Sequence, residues 1–395
     1  MSRSGRAIGS HGMRALAGAG VALLLALAGC ARAPDAVRFH ADGNPEHLSD
    51  WNLVFAKGQR LELNDGVVPY ELNTALFSDY AHKLRTVWLP AGTSAKYDAH
   101  EAFDFPVGTV ISKTFYYPIE AGSRGSDVVL RADATSAEFA GQGLAMDRVR
   151  LIETRLLVRR KDGWVAFPYV WNAEQTDAEL ARAGDEFSLQ LQSADGKRIP
   201  FTYVVPNSNQ CAGCHAPDNK ANRIAPIGLK ARHVNRDHQY DEGLENQLAH
   251  LGRIGYLTGA PAPEQAPRNA DFHDDKQPLD SRARAYLDIN CGHCHNGKGP
   301  ANTSGLWLDA AVTENMRLGV CKPPVAAGQG TGDHIFDIVP GKPGESILPY
   351  RLGSTDPGAQ MPELGRSTQH AEGLALINAW IAAMPGDCAT TTASN

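Results

Sequence analysis

Two copies of one pentapeptide, Cys-x-x-Cys-His, constrain this 395-residue chain more than any other feature. They occupy residues 211–215 and 291–295. Composition alone predicts roughly 0.004 such pentapeptides in a chain of this length. The spacing lets two thiols bond to the vinyl groups of one haem while the adjacent imidazole turns to the iron. We therefore interpret both copies as sites of covalently bound haem c.

Two other uses of Cys-x-x-Cys pairs are a structural zinc site and a short-loop disulfide. Neither use explains why a histidine directly follows the second cysteine in both copies. The predicted attachment residues and iron ligands are Cys211, Cys214, His215, Cys291, Cys294 and His295.

The N-terminus carries an export signal. Three arginines precede an apolar run at residues 15–28 that is too short to span a bilayer. The run ends in Leu-Ala-Gly-Cys at 27–30, which resembles the lipobox of bacterial lipoproteins. We predict a signal peptide at 1–29 and a lipid on Cys30, the alternative being ordinary cleavage beside an incidental cysteine.

Lipidation at Cys30 predicts a protein of the bacterial periplasm that is anchored to a membrane, in our interpretation the outer membrane. Several acyl chains hold a protein stably, because each buried methylene contributes ~0.8 kcal/mol. Residues 30–48 are small and polar and are expected to form a tether. Losing three arginines from the formal charge of −6 leaves −9, which favours basic or neutral redox partners and argues against nucleic acid.

Residues 49–257 read as a β-rich domain that carries the first motif at its C-terminal edge. The stretches 104–118 and 148–171 alternate in the way strands do. Within the second stretch, a Lys-Asp-Gly turn at 161–163 predicts a hairpin. The residues expected to share one strand face are Ile152, Thr154, Leu156 and Val158.

A proline-rich stretch at 258–276 is the expected interdomain linker. Helical spacing before the second motif and at 370–384 predicts two helices that bracket a haem site. The sequence thus predicts an α+β protein in which the antiparallel β-rich domain is followed by an all-α cytochrome c domain at 277–388. Residues 389–395 are expected to form a tail.

Axial ligands set the potential and reactivity of a haem, and methionine opposite histidine closes the iron to other ligands. For the second haem we predict Met361, because a loop methionine followed by proline shortly before the last helix resembles the pattern of cytochromes c. Met316 and Met384 fit less well, since one lies in an insertion and the other in an apolar helix stripe.

The sequence does not identify the sixth ligand of the first haem. His233, His238 and Met146 are candidates, and an iron with no sixth protein ligand is the fourth possibility. The segment at 69–81 can be a ligand-contacting loop, but buried aromatics with local hydrogen bonds explain it better.

Cys321 and Cys388 remain after haem and lipid have taken the other five cysteines. A leftover pair in an oxidising compartment usually cross-links, so we predict a disulfide between them rather than two free thiols. This bond would join an insertion at 310–332 to the tail after the last helix.

These residues together resemble a family of bacterial diheme c-type cytochromes with a β-rich N-terminal region. The resemblance extends over most of the mature chain and is carried by residues 72–74, 76–81, 153–157, 169–172, 209–211, 226–228, 230–232, 246–248 and the second motif. One departure is Ala75, where the family pattern has proline. The resemblance implies two haems but says little about a reaction.

The function expected from the sequence is the transfer of single electrons between redox partners by two haems. A diheme peroxidase or oxidase is the alternative, in which an open first haem would need a nearby acid or base. His233, His238 and Glu242 are the candidates for that role. A module that recognises a cell-surface ligand is a weaker reading that rests on fold analogy.

Overall fold

A computed structural model describes Met1, Gly5 and residues 34–132, 139–140, 143–325 and 327–388. The predicted signal peptide beyond Met1 and Gly5, the lipidation at Cys30 and the tail at 389–395 lie outside the described residues. From Ala36 onward the described residues form one compact unit. None of the described helices has the length and apolar character needed to cross a bilayer.

Seventeen strands are present in the described residues. They are β1 Val54–Lys57, β2 Arg60–Leu63, β3 Val68–Tyr70, β4 His82–Trp88, β5 Ala95–Lys96, β6 Val110–Pro118, β7 Val128–Leu130, β8 Phe139–Ala140, β9 Gly143–Ala145, β10 Val149–Arg160, β11 Gly163–Trp171, β12 Ala178–Leu180, β13 Asp185–Gln192, β14 Arg198–Val205, β15 Asp237–Tyr240, β16 Gly243–Asn246 and β17 Leu257–Thr258.

The described residues also contain six α-helices. They are α1 Gln210–His215, α2 Ala231–Val234, α3 Gln247–Arg253, α4 Leu279–Leu287, α5 Ile347–Gly353 and α6 Ala371–Ala382. A π-helical turn, Asp288–Gly292, continues α4 into the second motif.

A six-stranded antiparallel sheet in the order β12-β11-β10-β6-β4-β3 is the centre of the molecule. The predicted hairpin is confirmed, because β10 and β11 pair from Glu153↔Val170 to Arg160↔Gly163. One face of this central sheet packs on the four-stranded sheet β1-β2-β9-β8, with Leu156 and Val158 in the shared core.

The opposite face of the central sheet is covered in two parts. The three-stranded sheet β14-β13-β7 packs on one end, where Phe115 meets Tyr203 in a second core. Helices α2 and α3 pack on the other end, where Ile111 and Leu157 face them. A cleft remains on this face between the covering elements and the C-terminal segments.

The prediction for Ile152 is wrong. A β-bulge shifts the register between Leu151 and Glu153, so the strand alternation breaks there. Leu151 stays in the core beneath the four-stranded sheet, whereas Ile152 joins the core on the opposite face. The alternating pattern of the sequence continues through this point and does not reveal the extra residue.

The expectation of a separate all-α cytochrome c domain at 277–388 is also wrong. In the described part of this region, no α-helix lies between the turn Asp288–Gly292 and α5. Glycine and proline recur through that stretch and break helices. The α4–α6 pair does pack, with Leu287, Ile377 and Trp380 in one core, but within the same compact unit as the sheets.

The segments predicted as tether and linker lie against the β-rich part. Val37 and Phe39 of the 30–48 segment pack against the core beneath the central sheet. Ala266, in the 258–276 segment, is buried in the core that α2 and α3 share with the central sheet. The Asn235 amide donates to the Pro263 carbonyl at 2.8 Å, so the extended backbone that proline imposes finds donors on the β-rich part.

Candidate functional site

The first motif forms helix α1 at the edge of the cleft. Because Cys211, Cys214 and His215 are three and four residues apart, one helical turn brings their side chains together. The Nδ1 of His215 donates to the Ala225 carbonyl at 2.9 Å, which orients the ring and leaves Nε2 for another partner. Burial lowers the pKa of His215 to about 4, which keeps the imidazole neutral.

The cleft beside this motif contains about 1530 Å³ of empty space, part of it open to solvent. Its walls are mainly apolar, and Cys211, Cys214 and His215 line it. One wall is the central sheet, through Ile111 and Leu157.

The opposite wall of the cleft comes from the C-terminal region. It includes Tyr286 and Ile289 next to the second motif and Leu364 in the loop before α6. The cleft is therefore closed by segments that are distant in sequence.

The second motif is more deeply enclosed. Cys291 belongs to the core formed by α4, α5 and α6, and His295 is also buried. The Nδ1 of His295 lies 3.2 Å from the Leu306 carbonyl, an arrangement that repeats the one at His215. Burial lowers the pKa of His295 to about 4.

The two motifs are in direct contact. The thiol of Cys294 donates to the Gly213 carbonyl, inside the first motif, at 3.4 Å. An interaction with the Cys294 thiol lowers the pKa of Cys214, and burial opposes this effect. None of the four motif cysteines is paired in a disulfide with another described cysteine.

The donor groups at each motif are those that an attached haem requires. Each helical turn presents two thiols and one imidazole, and each imidazole uses Nδ1 on a backbone carbonyl so that Nε2 is free for iron. The first motif borders a large, mainly apolar cleft, and Cys291 of the second packs among apolar side chains. Bound haem would supply an iron centre that gains and loses one electron.

Met361 lies in the loop between α5 and α6. Its amide donates to the Arg351 carbonyl at 3.0 Å, and the charge of Arg351 acts on His295. The next residue, Pro362, lines the cleft of the first motif. The Met361 loop thus runs between the surroundings of the two motifs.

His233 is held by neighbours that do not belong to the cleft. Its Nε2 lies 3.6 Å from Asp288 and its Nδ1 lies 3.4 Å from the Asn269 amide. Burial lowers the pKa of His233 to about 4 despite the nearby carboxylate. Burial would raise the pKa of Asp288, but hydrogen bonding to Arg232 and the charges of His233 and Arg232 lower it to about 2.

The other two candidate ligands of the first haem also lie elsewhere. Met146 packs in the core between the central and four-stranded sheets. His238 lies on β15 against Tyr240, and among the described residues its Nε2 has no hydrogen-bond partner. Neither these two residues nor His233 line the described wall of the first cleft.

Cys321 and Cys388 form a disulfide, with their Cα atoms 5.3 Å apart. It ties the irregular stretch after the second motif to the segment that follows α6. The disulfide sulfur of Cys388 also lies 3.9 Å from the Ile338 carbonyl oxygen.

The segment at 76–81, which the sequence presents as a set of buried aromatics, connects both motifs. The amide of Phe77 donates to the side chain of Asn290, the residue before Cys291, at 2.8 Å. The Phe77 ring stacks on His370 with centroids 4.2 Å apart. Leu76, Phe77 and Ser78 line the first cleft.

Asp79 in the same segment fastens the C-terminal loop. Its carboxylate accepts hydrogen bonds from the Ser367 amide, at 2.8 and 2.9 Å, and from the amide and hydroxyl of Thr368, both at 2.7 Å. Burial raises the pKa of Asp79, and these hydrogen bonds oppose the increase. Sequence reasoning missed this role, because its partners lie almost 290 positions away.

A row of three basic residues forms part of the cleft wall. Arg85, Lys113 and Arg155 lie directly opposite one another on β4, β6 and β10, and all three line the cleft. Burial, with the charges of Arg155 and Arg85, lowers the pKa of Lys113 to about 7. Burial would lower the pKa of Arg155, but Glu153 raises it above its ordinary value. Charged residues within otherwise apolar strands were the available sequence signal.

Three further polar side chains that sequence reasoning missed also line the cleft: His293, His370 and Arg366. His370 accepts a hydrogen bond from the Tyr286 hydroxyl at 3.0 Å, and burial lowers its pKa to about 3. Arg366 donates to the carbonyls of the loop that contains Met361.

No protein-family model, curated protein or solved structure matches this chain. Within the described parts of the chain, His, Cys, Asp and Glu side chains do not gather in groups of three or more that could hold a metal ion.

Proposed function

We propose that this protein is a diheme c-type cytochrome that transfers single electrons between redox partners. The observation that carries the proposal is the contact between the two motifs, where Cys294 meets Gly213 at 3.4 Å. Two haems attached at adjoining helical turns would be close enough to exchange electrons. The covalent thioether bonds would keep each haem at its own motif during turnover.

The chain itself contributes orientation and burial. The carbonyls of Ala225 and Leu306 fix the rings of His215 and His295, so little rearrangement accompanies electron transfer. Burial lowers the pKa of both imidazoles, which leaves each in the neutral form that binds iron.

The first test is the number of haems on the purified protein. Protein from a host that matures c-type cytochromes should carry two by mass, and Cys211→Ala/Cys214→Ala should carry one. The matched control, Cys321→Ala/Cys388→Ala, removes two cysteines outside the motifs and should keep both haems. Colourless protein, or wild-type protein with a single haem, would refute the proposal.

Met361 is proposed as the sixth ligand of the second haem. Met361→Ala should abolish the methionine-to-iron charge-transfer band of one haem, and Met316→Ala, which alters an exposed methionine, should leave it intact. Since Pro362 lines the first cleft, the potentials of the two haems should be measured separately to identify which iron loses its ligand. An unchanged band in Met361→Ala would exclude this ligand.

The open cleft gives one specific reason to keep a diheme peroxidase as the second candidate. None of His233, His238 and Met146 lines its described wall, whereas His370 and Arg366 do; the imidazole can accept a proton and the guanidinium can stabilise negative charge. A high-spin haem that turns over peroxide would favour this candidate. Two low-spin haems that do not react with peroxide would exclude it.

We also propose attachment to a periplasmic membrane surface through a lipid on Cys30. The support is the Leu-Ala-Gly-Cys sequence after a short apolar run. Wild-type protein should partition into detergent, and Cys30→Ser should partition into the aqueous phase or remain unprocessed. Equal partitioning of both proteins into water would refute the anchor.

A further inference from the structure

The basic row at the cleft is expected to destabilise the central sheet rather than to stabilise it. Cross-strand pairing places Arg85 opposite Lys113 and Lys113 opposite Arg155. Like charges directly opposite each other destabilise a sheet. The ring of Phe115 offsets part of this cost, because the Arg155 guanidinium lies 4.4 Å and the Lys113 ammonium 5.1 Å from its centroid.

The neighbouring carboxylates balance only two of the three charges. Arg155 donates to both oxygens of Glu153, at 2.7 and 2.5 Å, and Arg85 lies 4.0 Å from Glu71. Among the described residues, none accepts a hydrogen bond from the Lys113 ammonium or pairs with it in a salt bridge. Lys113 is therefore the basic side chain of the row that has no carboxylate partner among the described residues.

The charged side chains in the described lining of the cleft are all basic. Arg366 joins the basic row in its lining, and no Asp or Glu belongs to the described lining residues. This contrasts with the chain as a whole, whose formal charge is −6. A recess with apolar walls and one sign of charge concentrates ligands of the opposite sign.

The position of Lys113 indicates which kind of anion could bind here. Lys113 lines the same cleft as Cys214 and His215, so the row faces the space beside the point where the first haem would be attached. An ammonium without a carboxylate partner, beside a guanidinium, offers donors suited to the two oxygens of a carboxylate.

We infer that Arg85, Lys113 and Arg155 form a binding site for a carboxylate, supplied by a propionate of the haem at Cys211 and Cys214 or by a small carboxylate from solution. The propionate source rests on the proposed function. A solution carboxylate does not depend on it.

The test compares Lys113→Met with Arg159→Gln in the full, matured protein. Arg159 is a matched control, because it lies on the same strand and face four residues beyond Arg155 and does not belong to the described cleft lining. Both reduction potentials are measured, with and without sodium acetate at constant ionic strength. Resonance Raman spectra record the propionate bending bands.

With a propionate at the row, Lys113→Met should lower one of the two potentials and shift the propionate bands. The cause is that losing a positive charge favours the ferric haem. Acetate should then leave the wild-type potentials unchanged. With a solution carboxylate, acetate should shift one wild-type potential saturably and have no effect on Lys113→Met. Arg159→Gln should behave like the wild type in every measurement.

The inference is overturned if Lys113→Met changes neither the potentials nor the bands and acetate has no effect on the wild type. Should Lys113→Met fail to fold, Lys113→Arg keeps the charge and changes the donor geometry. The propionate bands of Lys113→Arg should shift, with little change in either reduction potential. If these bands do not shift and acetate does not change the wild-type potentials, the inference is also overturned. If the wild type carries no haem, the proposed function fails, and acetate should then raise the melting temperature of the wild type but not of Lys113→Met. No rise in the wild type would overturn the inference.

Discussion

The two motifs differ in the residues that surround them. The first motif lies at the edge of the β-rich part beside a cleft with four basic side chains, and the second lies within the core of α4, α5 and α6. Both use the same device, an imidazole held through Nδ1 by a backbone carbonyl. One attachment pattern therefore occurs in two environments that differ in polarity and access, and these are the properties by which a protein tunes a haem.

The two regions are also joined rather than merely adjacent. The segment 76–81 starts from the β-rich part and contacts Asn290, His370 and Thr368 of the C-terminal part. A second junction pairs Arg232 and His233 with Asp288, just before the second motif. The comparison can therefore be tested by altering one junction or one region at a time.

The largest expected effect comes from Asp79, which fastens the C-terminal loop to the β-rich part. Asp79→Ala leaves three donors without their acceptor, at a cost of about 5 kcal/mol in the free energy of unfolding. Asp79→Asn keeps one acceptor oxygen and should cost about 2 kcal/mol. Denaturant unfolding measures both variants. Ser78→Ala is the neighbouring control, and an equal loss in Ser78→Ala and Asp79→Ala would contradict the role of the carboxylate.

Removing the disulfide should lower the stability of the protein and leave the surroundings of the first motif unchanged. Its cysteines are 67 positions apart, and closing such a loop stabilises a fold by about 4 kcal/mol. Cys321→Ala/Cys388→Ala should lower the free energy of unfolding by that amount and become insensitive to reductant. The spectrum of the first haem should not change. A variant as stable as the oxidised wild type would show that the bond contributes little.

The junction at His233 should make stability depend on pH. Its pKa is about 4 in the folded protein and about 6.5 when unfolded, so the unfolded chain binds more protons between these values. The contribution is complete above pH 6.5 and is lost as pH falls toward 4, by on the order of 3 kcal/mol. His233→Gln should flatten this part of the stability profile. An unchanged slope would assign the effect to other histidines.

The smallest expected effect concerns the stacked pair of Phe77 and His370. Phe77→Leu retains most of the apolar contact and loses the ring stack, which is worth about 1 kcal/mol. Because both residues line the first cleft, the spectrum of the first haem should shift while that of the second stays constant. The measurement is the absorption spectrum of each haem during a redox titration. Equal shifts in both haems would weaken the distinction between the two regions.

Local patterns in the sequence were enough to predict several elements. The Lys-Asp-Gly turn predicts the β10–β11 hairpin, and the apolar stripe at 370–384 predicts α6, because both depend on residues close in sequence. Failures occurred where a distant contact decides the structure. Ile152 fits the strand alternation, yet it faces the opposite core, because the pairing of β10 with β6 contains a β-bulge there.

In the candidate site, too, some residues could be predicted from local patterns and others could not. The attachment residues and proximal histidines are predicted from two pentapeptides, whereas the basic row exists only through the pairing of β4, β6 and β10. The sequence contains Arg85, Lys113 and Arg155 as isolated charges, each tens of residues from the next. Only the register of the sheet places them opposite one another.

The sequence by itself determined the chemistry that each motif can perform, because two thiols and an imidazole within five residues need just one helical turn to converge. The tertiary structure decided the rest: the absence of an all-α domain in the described residues, the packing of the expected tether and linker, and the contact of Cys294 with Gly213. The physical reason is that these features depend on which distant surfaces bury each other and satisfy each other's hydrogen bonds, and local periodicity does not encode those partners.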